Sequence, residues 1–358
     1  MSGLGITQKN LLEQQWRGQL SEYVTAVAWS VDGCLAVSSA AGEVLLWDGG
    51  NGDSCLILGS DNTGEQSIDC LDFSPDGQFL AAGGQDGGVR IWQVKPQLQR
   101  ITTLNNAPKW VDHLRWSPTA NQLAFSLGRY VQVWDAAEQA TIITLPFDSS
   151  SVLGMTWQPQ GQHLAIAGDQ GAKVWDSRNW DDDPFLVDMA AASMAIAWSP
   201  DGKYLASGNL DLTITVVQWG NPHPWVMRGF PGKIRNLRWS KSMSNTAPLL
   251  AASSGEGIVI WKKQTDDRQG WDARVLDLHT EIIQDIAFQP KSLLLASASN
   301  DGWVCLWQKA KQIAQIMNGA TQGFSCLAWH PGGHQLAAGG QNGEVLVWSE
   351  SKRGKGFG

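Results

Sequence analysis

Cys70 to Val94 reads CLDFSPDGQFLAAGGQDGGVRIWQV, and versions of this stretch return at near-constant spacing through the chain. Such a repeat constrains the fold more than any other sequence feature, because each unit must bury its apolar faces against its neighbours. CLDF alternates as a half-buried strand does, SPDG turns, FLAAGG is a short apolar run, QDGG turns again and VRIW alternates once more. The unit reads as a three-stranded antiparallel meander. Gly77 and Gly87 suit its turns because tight turns favour a residue that tolerates positive φ.

Two markers keep phase along the chain. Aligned on its closing tryptophan, the unit recurs at Trp47, Trp92, Trp134, Trp175, Trp261, Trp307 and Trp348, and an eighth copy, DLTITVVQ, carries Val217 instead. Successive closing positions lie 45, 42, 41, 42, 44, 46 and 41 residues apart. An aromatic ends the first strand of every copy: Trp29, Phe73, Trp116, Trp157, Trp198, Trp239, Phe288 and Trp329. A further apolar run precedes each meander, beginning with LLEQQWR at 11–17 and continuing through LILG, ITTL, IITL, FLV, WVM, RVL and IAQIM. Each repeat thus supplies four strands, the outermost coming first. A period this short leaves no room for a domain boundary within 358 residues. One closed domain is expected over 11–349, with a leader at 1–10 and a flexible basic tail at 350–358.

The LA(A/S)xxxxGxVxxW pattern, its SPDG-like turns and the surviving pairs Trp47-Asp48, Trp134-Asp135 and Trp175-Asp176 resemble the WD-repeat β-propeller family over residues 11–348. That resemblance implies an all-β, single closed propeller whose first strand, Leu11 to Arg17, completes the last blade. Small residues in LAAGG, LAIAG, LASGN, LAASS and LASAS fit the taper towards a central axis. The count favours eight four-stranded blades, with seven as the alternative and the Val217 repeat as the weakest. The family's buried His, Ser/Thr, Asp and Trp tetrad is complete in one repeat, as His279, Ser297, Asp301 and Trp307. The Gln-rich and Trp-rich style is similar to that of cyanobacterial WD-repeat proteins.

Composition narrows the function. A net charge of −8 disfavours wrapping nucleic acid through phosphate contacts. No export signal and no long apolar run is present, and five cysteines without CxxC spacing fit buried free thiols, so a soluble cytoplasmic protein without membrane insertion is expected. No nucleophile, phosphate-loop or metalloprotease signature occurs, so no enzyme, cofactor or small-molecule substrate is expected. HPGGH places His330 and His334 in a hairpin turn without a third ligand, which makes a metal site the weaker reading. The acidic run Asp181 to Asp183 lacks the ligand spacing of a calcium loop.

What stands out is 20 tryptophans, of which Trp16, Trp110, Trp180, Trp219, Trp225, Trp271 and Trp303 occupy neither marker position. Trp180, Trp219 and Trp271 lie in or beside long links on the wider face, where indoles make a recognition patch. On the narrower face the family binds partners through the loop leading into the first strand. Six and four residues before the strand-end aromatic, this chain offers Tyr23, Trp110 and Asp112 in blades one and three, Lys233 and Arg235 in blade six, and Gln284 in the next repeat. An aromatic and acidic arc facing a basic one suits a peptide of mixed charge. The expectation is a non-catalytic scaffold for a protein or peptide partner in complex assembly. Alternatives are an accessory factor in metal handling and a quinoprotein-type enzyme.

Overall fold

The computed structural model describes residues 10–49, 55–58, 66–221, 223–242 and 246–351. Its strands form eight four-stranded antiparallel sheets. Blades 1 to 7 occupy 24–58, 68–105, 114–146, 154–188, 193–227, 234–277 and 283–317 in chain order. Blade 8 joins Phe324–Trp329, Gln335–Gly340 and Glu344–Glu350 to the N-terminal strand Leu12–Gln19, which is its outermost member. The ring closes where the inner strand Val24–Trp29 packs against both Ile68–Phe73 and Phe324–Trp329. Eight blades are therefore present rather than seven, and the Val217 repeat forms a complete one. The expected leader and basic tail fall, apart from Asn10, Glu350 and Ser351, outside the described residues.

Second strands such as LAVSS, LAASS and LASAS are buried along their whole length, as a converging wedge of sheets demands. Gly87 sits at φ 75°, and a Cβ there would lie 2.5 Å from the Lys109 carbonyl oxygen, so this turn tolerates no side chain.

Five of the six strand-end tryptophans staple blade to blade, while the buried Trp198 indole N–H has no partner among the described residues. The indole N–H groups of Trp29, Trp116, Trp157, Trp239 and Trp329 donate to the carbonyls of Ala328, Asp72, Arg115, Ala197 and Ala287 in the preceding blade, at 3.0–3.2 Å. Phe73 and Phe288 have no N–H to give. At those two interfaces the inner strand substitutes its own donors, Thr25 Oγ1 to the Ile68 carbonyl and Asn236 Nδ2 to the Gln284 carbonyl at 2.8 Å, with Arg238 paired to Asp285 at 3.2 Å.

Closing tryptophans play a second role. In blade 7, Ser297 Oγ accepts from Trp307 Nε1 at 2.9 Å and meets His279 Nε2 at 2.8 Å, while His279 Nδ1 lies 2.8 Å from Asp301 Oδ2. This is the tetrad read from the sequence. Where the serine position holds Val37, Phe125 or Ala252, the buried indole N–H of Trp47, Trp134 or Trp261 has no partner. Blade 5 shows the converse: lacking a closing Trp, Ser207 bonds Ser193 and Asn209 instead, at 2.6 and 2.7 Å.

The long link that carries Trp271, residues 262–274, is not an open loop. Gly257–Lys263 and Trp271–Asp277 extend as a hairpin through the pair Lys263↔Trp271, around a single 3₁₀ turn, Asp267–Gln269. Strand pairing turns Trp271 inward.

Candidate functional site

The inner strands share a local irregularity that builds the channel mouth. Their register shifts between Val24 and Ala26, Ile68 and Cys70, Ser193 and Ala195, Ile234 and Asn236, Ile283 and Asp285, and Phe324 and Cys326. The extra residues, Thr25, Asp69, Met194, Arg235, Gln284 and Ser325, each stand four before the strand-end aromatic. A bulge re-aims a side chain that regular pairing would hold in the ladder. Asp112 holds the same offset in blade 3 without a bulge, since its strand begins only at Leu114.

Charge is segregated around this mouth. Burial and the neighbouring Asp69 carboxylate push the Asp112 carboxyl above its ordinary range. Asp69 itself accepts from Ser67 Oγ at 2.5 Å. Lys233 and Arg235 are exposed in blade 6. The Arg235 charge reaches Tyr23, whose phenol is raised by burial and by Cys326 but pulled back by a Ser325 hydrogen bond and by that guanidinium. Tyr23 is 38% and Trp110 55% exposed, unusual for large aromatics in a packed ring. Trp110 forms one wall of an open groove of about 730 Å³, shared with Ala40, Ser67, Asp86 and Pro108. Gln284 is less available: its amide donates to Asn300 Oδ1 at 2.9 Å, so it ties blade 7 together.

Asp285, Arg115, Arg238 and His113 line a channel cavity of about 310 Å³ together with Thr25, Asp69 and Asp112 of the mouth. Burial pushes the Asp72 and Asp285 carboxyls upward, against the opposing pull of Arg115 on Asp72 and of Arg238 on Asp285. His113 is pushed down to about 4 by burial and by the Arg115 charge, despite a hydrogen bond at Leu153. The folded protein thus binds fewer protons at His113 than the unfolded chain between pH 6.5 and 4. Its contribution is full above pH 6.5 and lost as pH falls towards 4, on the order of 3 kcal/mol. Denaturant unfolding at pH 7 and pH 4.5 should show His113→Asn losing distinctly less stability on acidification than the parent; equal losses would rule this source out.

The wide-face tryptophans do not form the expected patch. Trp271 is buried at 9% exposure against Tyr204, Trp225 and Trp239, because it belongs to an outer strand rather than a loop. Trp219 packs on Trp198, His163 and Phe185, and Trp180 meets Trp157 edge-on. Trp180 thus packs within its own blade, whereas Trp219 and Trp271 bridge to the preceding one. His330 and His334 lie with ring centroids 4.1 Å apart, His330 Nδ1 accepts from the Gly332 N–H, and no third His, Cys, Asp or Glu joins them among the described residues.

Two side chains that pin the mouth went unnoticed in the sequence. Glu43 accepts from the Ser21 N–H and hydroxyl at 2.9 and 2.8 Å, and Glu344 accepts from those of Thr321 at 3.0 and 2.7 Å. They hold the loops leading into blades 1 and 8, as Asp301 holds Thr280 in blade 7 at 3.2 Å. The signal was the near-identity of AGEVLLW and NGEVLVW, each with Glu four before the closing Trp. In blade 2, Arg90 pairs with the tetrad aspartate Asp86, where blade 7 uses histidine.

A closed ring of eight four-stranded sheets with charged and aromatic loops around its channel mouth defines a β-propeller. Its repeats then specify the family. The profile described as WD domain, G-beta repeat matches residues 11–48, 56–93, 140–176, 191–217, 271–308 and 311–349, and the chain belongs to the WD40 repeat family. The unmatched stretches between 93 and 140 and between 217 and 271 carry Trp110, Asp112, Lys233 and Arg235. Over 122 residues the chain is 29% identical to the chromatin assembly factor 1 subunit FAS2 homolog of Oryza sativa subsp. japonica, covering 33% of this chain and 24% of that protein. It is 25% identical over 162 residues to WD repeat-containing protein 18 of Danio rerio, covering 40% and 37%. To protein transport protein SEC13 of Chaetomium globosum it is 26% identical over 133 residues, covering 35% and 46%. The chain spans less than half the length of each. All three relatives are eukaryotic, which gives the cyanobacterial style no support. No helix among the described residues is long and apolar enough to cross a membrane.

Proposed function

We propose that this chain is a non-catalytic cytoplasmic scaffold that holds a protein or peptide partner across the narrow channel mouth during complex assembly. The carrying observation is the arrangement of exposed Tyr23 and Trp110 with Asp69 and Asp112, opposite Arg235 and Lys233, with bulges re-aiming Asp69 and Arg235. Tryptophan and arginine on a rigid frame supply most interface energy at small entropic cost. The relatives' names, a chromatin assembly factor subunit and a transport protein, suit a role within larger assemblies. Buried free thiols at Cys70, Cys305 and Cys326, each pushed up to about 12 chiefly by burial, suit a reducing compartment.

The test is replacement of Trp110, Lys233 and Arg235 together by Ala, followed by affinity purification from the source lysate with quantitative mass spectrometry. All three side chains are exposed, so melting should change little. The principal partner should fall by about thirtyfold or more, as loss of hot-spot residues produces. Undiminished recovery would place the partner elsewhere.

A further inference from the structure

Blades 6 and 7 carry a second surface, on the face opposite the channel mouth. Two adjoining cavities of about 400 and about 200 Å³ share Leu249, Lys262, Lys309 and Lys311. Arg274 borders the larger and Lys241 the smaller. Ala247, Pro248, Leu249 and Leu293 give the smaller one an apolar floor. In a chain of net charge −8, this is a local concentration of cations. Lys241, Lys262, Arg274, Lys309 and Lys311 are all exposed, and none makes an ion pair among the described residues. Asp272 is the single carboxylate at the rim, and it accepts from Gln264 Nε2. Lys263 is already spent on Asp267 and on the Trp225 ring.

The backbone adds a second observation. Lys309 and Ala310 hold φ 53° and 49°, and Lys291, in the first hairpin of the same blade, holds φ 63°. Turns of this hand favour Gly or Asn, and a longer side chain there is strained. Lys309 and Ala310 are the central residues of a tight turn closed by the Lys311 N–H to the Gln308 carbonyl at 3.1 Å, so Lys309 and Lys311 are presented together on one short hairpin.

We propose that this surface docks an acidic peptide segment of a partner protein, with one apolar side chain seated over Leu249 and Leu293. Charge complementarity selects the carboxylates, and the smaller cavity falls below the roughly 300–1,000 Å³ of small-molecule pockets but accepts a single Leu or Phe. A single-stranded nucleic acid fits less well, because no aromatic side chain lines either cavity to stack a base.

The experiment uses the full chain and a short fluorescent peptide of Asp and Glu around one central Leu, followed by anisotropy. Lys309→Glu with Lys311→Glu should weaken binding about tenfold or more, and Leu→Ser in the peptide should also weaken it. Arg17→Glu, exposed on the outermost strand of blade 8 and part of neither surface, should leave it unchanged. Matched melting curves keep the double variant interpretable, and Lys262→Ala with Lys311→Ala serves if it melts early. Binding indifferent to the double variant, equal binding of the Ser peptide, or tighter binding of a thymidine oligonucleotide would each overturn the proposal. None of these bears on the channel mouth, so the two surfaces stand or fall separately.

Discussion

Removing residues 1–20 should leave a chain that aggregates or melts many degrees below the parent, by differential scanning calorimetry and light scattering. The strand Leu12–Gln19 pairs with Glu344–Glu350 along its whole length, joining the two ends of the ring. It buries Leu12 and Trp16 and leads into buried Leu20, with the Trp16 indole stacked on Trp47 at 5.0 Å and 17°. Gly18 is the condition for that stack: a Cβ there would meet the Trp16 ring at 2.3 Å. From blade 7, Gln315 Oε1 accepts from the Leu11 and Leu12 N–H groups at 2.7 and 2.9 Å, and its Nε2 returns a bond to the Leu12 carbonyl. Burial of three large apolar side chains contributes roughly 5–8 kcal/mol, comparable with the whole stability of a typical domain. Deletion also uncovers the edge of Glu344–Glu350. A truncated chain that melts like the parent would show that the ring does not depend on this strand.

Ser297→Ala should cost about 4 kcal/mol, more than its lost atom suggests. The hydroxyl stands between two buried partners, accepting from Trp307 and reaching His279, and its loss strands a donor and a ring nitrogen at once. With His279 Nδ1 donating to Asp301, Nε2 is left as the acceptor for the serine proton. Chemical denaturation measures the effect, and Ser297→Thr, which restores the hydroxyl, should recover part of it. A Ser297→Ala variant within 1 kcal/mol of the parent would mean that blade 7 rests on packing alone, as blades 1, 3 and 6 do around their unpartnered Trp47, Trp134 and Trp261. Those blades show that the ring tolerates an unpaired indole N–H where the whole side chain is well packed.

The repeat was legible because it is written in local chemistry. Turn glycines such as Gly77, strand alternation and paired aromatics are each confined to a few residues, and their phase specifies the blade count without reference to partners in space. The tetrad followed for the same reason, since only one repeat held all of its members. Less was visible of the sites. Trp271 looked like a loop residue until its pairing with Lys263 turned it into the blade. Gln284 looked free until Asn300 claimed its amide. Glu43 and Glu344 resembled ordinary surface acids, and nothing nearby in the chain marked them as acceptors for the loops at Ser21 and Thr321.

By itself, then, the sequence determined the repeat and its four strands and favoured eight blades over seven, because hydrophobic period and turn chemistry act over neighbouring residues, and the family resemblance it carries implied a ring stitched by its first strand. Only the tertiary structure decided which side chains face outward at a rim. That depends on bulges and on contacts between residues far apart in the chain: Trp110 beside Ala40 and Asp86, and Lys262 beside Lys309 and Lys311. Such contacts exist only once the ring has brought separate blades together.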